Sequence, residues 1–291
     1  MLTNRARWVI ACPTVGILII AGFLAGCGSK SDADSPGPSP KMAVPAAATA
    51  PGGHSAAQVS NGPADYPRQF SFLDATLAEP PEDQWLPELT KSGKSVGKLY
   101  KQVVAKWDKV PLESPAGKKL AYAAQIKTDL GQIEIELRPD LAPNHVRSFV
   151  ALAQAGYFDG LAFDRVIRRD RAEGNNGRFE CVEAGCPVGT GDSHYGSIGY
   201  WLKPELRAAM THEEGTVGAW HGEQVESAAC KFYITLTKAE WMDGRFTVFG
   251  NVTKGLDVVR AIHSGKTLTD DPDRPQDPII MRQVTINGRE Q

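Results

Sequence analysis

Cysteine and histidine are the side chains of this chain with the widest chemical reach. Beyond the N-terminal segment there are three cysteines, Cys181, Cys186 and Cys230, with His194, His212 and His221 near them in sequence. Thiolates and imidazoles together bind metals, and two thiols form a disulfide or a reactive pair. The spacing here fits no standard zinc pattern, so neither a metal nor another cofactor is expected. Gly93-Lys94-Ser95 has the ending of a phosphate-binding loop, but Glu88 stands where that motif needs its leading glycine. The formal net charge of −2 gives no electrostatic argument for a nucleic-acid partner.

Where the chain acts is written at its start. Arg5 and Arg7 precede an uncharged run from Trp8 to Gly26, which ends in Leu24-Ala25-Gly26-Cys27. A basic start, an apolar run and small residues at the exit form an export signal. The ending resembles the lipobox of bacterial lipoproteins, which implies cleavage after residue 26 and acylation of Cys27. A signal-anchor helix is the alternative, since the run is about long enough to span a bilayer; Pro13 argues against it. Either way the folded part is expected outside the cytoplasm, in the cell envelope, facing the periplasm or the exterior. Gly28, rather than Asp, follows the lipidated position, which favours the outer membrane. Residues 27–65 are rich in Ser, Pro, Gly and Ala and read as a flexible tether. In such an oxidising setting Cys181 and Cys186 are expected to pair, leaving Cys230 a buried thiol.

Periodicity outlines the elements that must position any site. Residues 66–118 read as an N-terminal extension. Its Pro-punctuated part contains Phe70, Phe72, Leu73, Trp85 and Leu86 and reads as a strap on the domain, or as a partner-binding segment. From residue 94 to 110 the apolar residues Val96, Leu99, Tyr100, Val103, Val104 and Trp107 recur at helical spacing. That helix either docks on the domain or offers a basic face to a membrane surface. Residues 119–291 form the main domain. Ile133, Ile135 and Leu137 alternate as in a half-buried strand. Pro143 opens a helix that Gly156 stops, and Leu256, Val259 and Ile262 mark a second. Further strands are expected at 161–167, 215–220, 231–236, 246–252 and 278–286. The pattern is mainly β and suggests a barrel with helical caps.

Several blocks occur in a telling order: His145 to Ala153, Gly156-Tyr-Phe-Asp-Gly160, Phe163-Asp-Arg165-Val-Ile167, Gly191-Asp192, Gly215-Thr-Val217, Phe232-Tyr233-Ile234, and Trp241-Met242 through Gly250. Together they resemble the cyclophilin family of peptidyl-prolyl cis–trans isomerases, over roughly residues 120–290. The resemblance implies a closed eight-stranded antiparallel barrel capped by two helices. It also implies proline-containing polypeptides as substrates.

Rotation about a peptide bond faces about 18–20 kcal/mol, and X–Pro bonds exchange over tens of seconds or more. A catalyst must hold the proline ring in an apolar pocket and stabilise the twisted amide. A fixed arginine can do the second. By the resemblance, Arg165 is that arginine. Tyr233 stands in the pocket floor in place of a phenylalanine, Met242 in place of a leucine, and Trp241 at the pocket edge; Phe163, in the arginine block, is expected to bind substrate with them.

The same resemblance shows departures. The glutamine that orients the arginine falls at Gly189, a second glutamine is replaced by Lys231, and a pocket histidine by Phe246. Trp220-His221 stands in a normally small-residue turn, where Trp220 either fills the groove or adds an aromatic contact. Loss of a hydrogen-bond partner of a charged group corresponds to about 1.5–3 kcal/mol, or roughly tenfold to a hundredfold in rate. Residues 168–186 replace a very short link and read as a polar loop, either a lid or a solvated excursion, that removes apolar residues beside the proline ring.

Three functions follow: an envelope-anchored isomerase assisting the folding of exported proteins, a catalytically weak module that binds proline-containing segments, or a redox or metal protein built on the insertion. The first is the expectation.

Overall fold

The computed structural model describes residues 69–170 and 178–290. All of them belong to one compact unit, Thr49–Gln291. The signal 1–26, Cys27 and the tether lie outside the described residues, as do residues 171–177 of the insertion.

Alternation builds the first hairpin. In strand β2 (Gly131–Leu137) the apolar Ile133, Ile135 and Leu137 are buried, while Gln132 and Glu136 are exposed. Its partner β1 (Leu120–Thr128) was not foreseen, because its alanines carry little strand preference. β3 (Phe163–Asp170), β4 (Arg178–Ala184), β5 (Thr216–Ala219), β6 (Phe232–Thr235), β7 (Val248–Lys254) and β8 (Gln283–Glu290) complete the sheet. All pairings are antiparallel, in the order β3-β4-β6-β5-β7-β2-β1-β8.

The sheet has eight strands, as expected, but it does not close into a barrel. The outer edge of β3 is met by the irregular segment that precedes β8. Phe163 N donates to Ile279 O at 2.9 Å, Val166 N to Asp273 O at 2.7 Å, and Ala162 bridges Ile280. Pro272, Pro275 and Pro278 leave this segment without the donors a continuous ladder needs.

Two helices pack on the sheet. α3 (Pro143–Gln154) starts with proline at its first turn and lies against β7 and β8. Gly156, at φ +70°, follows its end. α4 (Leu256–His263) packs on β2, β3 and β4.

The extension lies on the domain. It contributes the short helix α1 (Phe72–Ala75) and α2 (Val96–Trp107), which packs on α3. Its strand-like stretches run beside residues 187–202: Leu77 N donates to Trp201 O, Trp85 N to His194 O and Lys91 N to Pro187 O. Trp107 is fully buried, edge-on to Phe72 at 5.3 Å, and its indole N–H donates to Phe70 O at 3.1 Å. The Arg147 guanidinium of α3 lies 4.9 Å from the Trp107 ring and donates to Trp107 O. Among the described residues no helix is long and apolar enough to cross a membrane.

Extension and domain should therefore unfold together. Trp107→Ala is expected to lower the stability of the whole unit by about 3–5 kcal/mol, as a single shifted transition in urea. A separate early transition would show that the extension folds independently.

Candidate functional site

One transverse row of the sheet assembles the site. Arg165 on β3 pairs with Glu183 on β4, Glu183 with Tyr233 on β6, and Tyr233 with Gly218 on β5. Side chains paired across strands share a face. The neighbouring row, Ala184, Phe232 and Ala219, points the other way, into the hydrophobic core.

A bulge between Phe163 and Arg165 sets which residue belongs to which row. Without it, residues two apart on β3 would share a face. With it, Phe163 pairs with Ala184 and Arg165 with Glu183, so the two point to opposite faces. Phe163 is accordingly a fully buried core residue, 6.5 Å from Phe232. Its expected place in the substrate pocket is corrected.

Arg165 is 6% exposed and ion-paired. Its Nη2 donates to Asp273 Oδ2 at 2.6 Å, and Nη1 lies 3.9 Å from Asp271 Oδ2. Asp273 also accepts from both terminal nitrogens of Arg169, through Nη1 at 2.6 Å and through Nη2. Gly191, at φ +70°, lies so close to Arg165 that a Cβ there would overlap the arginine stem. The glutamine expected at Gly189 is answered elsewhere. Gly189 lies beside the Lys91 side chain, and the side chain facing Arg165 across the ladder is Glu183.

A second charged group lies beside it. Lys231 is buried, with Nζ 3.4 Å from the centre of the Trp220 ring, 3.9 Å from Glu183 Oε2, and donating to Gly191 O at 3.0 Å. Trp220 is itself buried, so it fills this part of the face with Lys231 rather than presenting a ring to solvent. Asp164 points to the same interior and accepts from Cys186 N at 3.2 Å. Burial pushes its carboxyl up to about 7, a rise opposed by Lys231 and reinforced by Glu183. Burial also raises Glu183.

The aromatic part of the face is continuous. Tyr233 and Phe246 meet edge-on at 5.9 Å, Phe246 and Trp241 at 6.3 Å, and Trp241 and Phe179 at 5.3 Å. Met242 is buried in the turn Glu240–Met242 beside them, and His221 stacks on Phe246 at 4.1 Å. Trp241 and Phe246 are half-buried, so their rings form the accessible wall. The Tyr233 hydroxyl turns away from it to His212 Nε2 at 2.7 Å.

The insertion departs from expectation twice. Its described residues are not a loop: β3 runs on to Asp170 and pairs with β4 from Arg178. It also supplies an apolar side chain rather than removing one, since Phe179 packs on Trp241. The expected disulfide is absent, and Cys181, Cys186 and Cys230 are free and buried. Cys181 lies within extended β4 and Cys186 beyond its end. At about 3.3 Å per strand residue this exceeds the Cα spacing a disulfide spans. Burial raises the Cys181 thiol well above its usual value and raises Cys186, the reverse of a reactive thiolate. Among the described residues no group of three or more His, Cys, Asp or Glu could hold a metal.

Glu183, Asp273 and Phe179 were missed in the sequence, and His212 was singled out there only beside the cysteines, not as the partner of Tyr233. Glu183 left a signal, a single carboxylate in the apolar run Cys181-Val-Glu-Ala184. Asp273 left none, because it meets Arg165 from 108 residues away.

The family model for cyclophilin type peptidyl-prolyl cis-trans isomerase/CLD matches residues 123–286. The match covers more than half of the 291 residues, and the chain belongs to this family of isomerases, which act on proline-containing polypeptides. The peptidyl-prolyl cis-trans isomerase ppi1 of Schizosaccharomyces pombe is 32% identical over 163 residues, 56% of this chain and 97% of that protein. A probable peptidyl-prolyl cis-trans isomerase of Brucella suis biovar 1 is 34% identical over 170 residues, 56% of this chain and 83% of the relative. The peptidyl-prolyl cis-trans isomerase cyp15 of Rhizopus delemar is 31% identical over 167 residues, and the chain spans 25% of its length. A solved cyclophilin type isomerase of Cryptosporidium parvum, in the presence of the dipeptide ala-pro, aligns at 21% identity with a TM-score of 0.49, over 57% of this chain and 98% of that one.

Asp164 makes stability pH-dependent. The folded protein holds its proton up to about pH 7, against an ordinary value of 3.8. The stabilisation is thus full below 3.8 and is lost as pH rises through about 7. Asp164→Asn keeps an acceptor for Cys186 N–H and removes the titration. Urea midpoints between pH 4 and 8 should fall less in the variant than in the parent; equal slopes would assign the dependence to another group.

Proposed function

We propose that this chain isomerises X–Pro bonds in exported polypeptides, with Arg165 stabilising the twisted amide and Tyr233, Met242, Trp241, Phe246 and Phe179 receiving the proline ring. The observation that carries the reading is the shared row: Arg165 and the ring of Tyr233 lie two strands apart on one face. The guanidinium is held at one end by Asp273 and packed along its stem by Gly191. A cation already fixed in direction needs little reorganisation as the amide twists. Lys231 and Trp220 fill the adjoining part of the face and form its boundary.

The lipobox supports the cellular setting. Acylation of Cys27 would hold the domain at an envelope membrane, with residues 28–65 as its tether. Cys27→Ser is expected to move the chain from the membrane fraction to the soluble fraction of the envelope. Continued membrane association would favour an uncleaved signal anchor.

Arg165→Ala tests the chemistry. Acceleration of X–Pro isomerisation in a short peptide should fall about a hundredfold, in line with removal of one transition-state donor. Binding of the peptide without acceleration by the parent would instead favour a proline-binding module. The engagement of Arg165 by Asp273 is the observation on that side.

A further inference from the structure

Tyr233 is a phenol buried at the floor of an apolar pocket, and its hydroxyl needs a partner. The space above Gly218 is where it goes: a Cβ on Gly218 would overlap the hydroxyl. There it meets His212 Nε2 at 2.7 Å. The other ring nitrogen, Nδ1, lies 2.8 Å from Asp243 Oδ1. A carboxylate only accepts, so Nδ1 carries the proton and Nε2 accepts from the Tyr233 O–H. Burial lowers the His212 pKa, which favours this neutral form.

The backbone of His212 engages the same region. Its N–H donates to Asp243 Oδ1 at 2.8 Å, and its carbonyl accepts from Ala239 N at 2.8 Å. Ala239 and Asp243 flank the turn Glu240–Met242, which carries Trp241 and Met242. One histidine thus joins the pocket floor on β6 to the turn that bears its rim.

We propose that His212 is a positioning residue for substrate recognition: with Asp243 it sets the Tyr233 ring against Trp241 and Met242, and so fixes the width of the pocket that takes proline. The proposal rests on the reading of Tyr233 as the pocket floor. It adds a control point that does not touch the substrate.

A mutant cycle on the full chain tests it. His212→Ala leaves a buried hydroxyl without a partner and is expected to raise KM for an X–Pro peptide about tenfold, with kcat changed less than about twofold. In the Tyr233→Phe background no hydroxyl remains to be held, and the same substitution should raise KM much less. Equal effects in both backgrounds would overturn the proposal. Nitrogen NMR of the parent adds a readout independent of turnover and of the variants' folding: Nδ1 of His212 should bear the proton and Nε2 should accept from the Tyr233 hydroxyl. A proton on Nε2 would overturn the relay. If the parent binds the peptide without turning it over, its Kd replaces KM in the cycle. A parent that neither binds nor turns it over defeats the pocket assignment, and the proposal with it, even where the relay itself is seen.

Discussion

Everything at the candidate site depends on the register of β3 against β4. One bulge, between Phe163 and Arg165, turns the arginine out of the core row and into the row of Glu183, Tyr233 and Gly218. Strand side chains alternate between faces, so a slip of one residue would exchange Arg165 for a core residue along the whole strand. The bulge lets Phe163 complete the aromatic core with Phe232 while its near neighbour carries a charge on the opposite face. The core and the site are two sides of one pairing scheme.

That arrangement gathers ionisable groups in a poorly hydrated place. Arg165, Arg169 and Lys231 each lie within 3.9 Å of Asp271, Asp273 or Glu183. Buried charges persist when paired, and here each cation has a carboxylate near it. Asp273 does the most, accepting from Arg165 and Arg169 with its side chain and from Val166 with its carbonyl. It arrives on the proline-broken segment that also leaves the sheet open. The open edge and the fixed arginine thus share a physical origin.

The N-terminal extension is bound into this unit by apolar contact and by charged side chains together, Arg147 donating to Asp108 and Lys94 to Gly156 O and Asp159 O. Phe72, Tyr100, Trp107 and Tyr200 form an aromatic cluster beneath α2, with Arg147 lying against it. The extension also reaches the site's neighbourhood, since Lys91 touches Gly189 and its backbone bonds to Pro187.

The sequence alone determined the elements with strong local signals. Alternation at 133–137, proline at 143 and helical spacing from Val96 to Trp107 are properties of a few consecutive residues, and they were legible as such. The ordered blocks around Arg165, Tyr233 and Trp241 made the family recognisable, and with it the isomerase class. Tertiary structure alone decided what meets Arg165, because Glu183 reaches it through strand pairing and Asp273 from the irregular segment before β8, 108 residues away. It also showed Phe163 turned inward, Cys181 within β4 and Cys186 beyond its end as free thiols, and Phe179 supplying the apolar wall. Each depends on register and long-range packing, which a linear pattern does not encode until the strands are aligned.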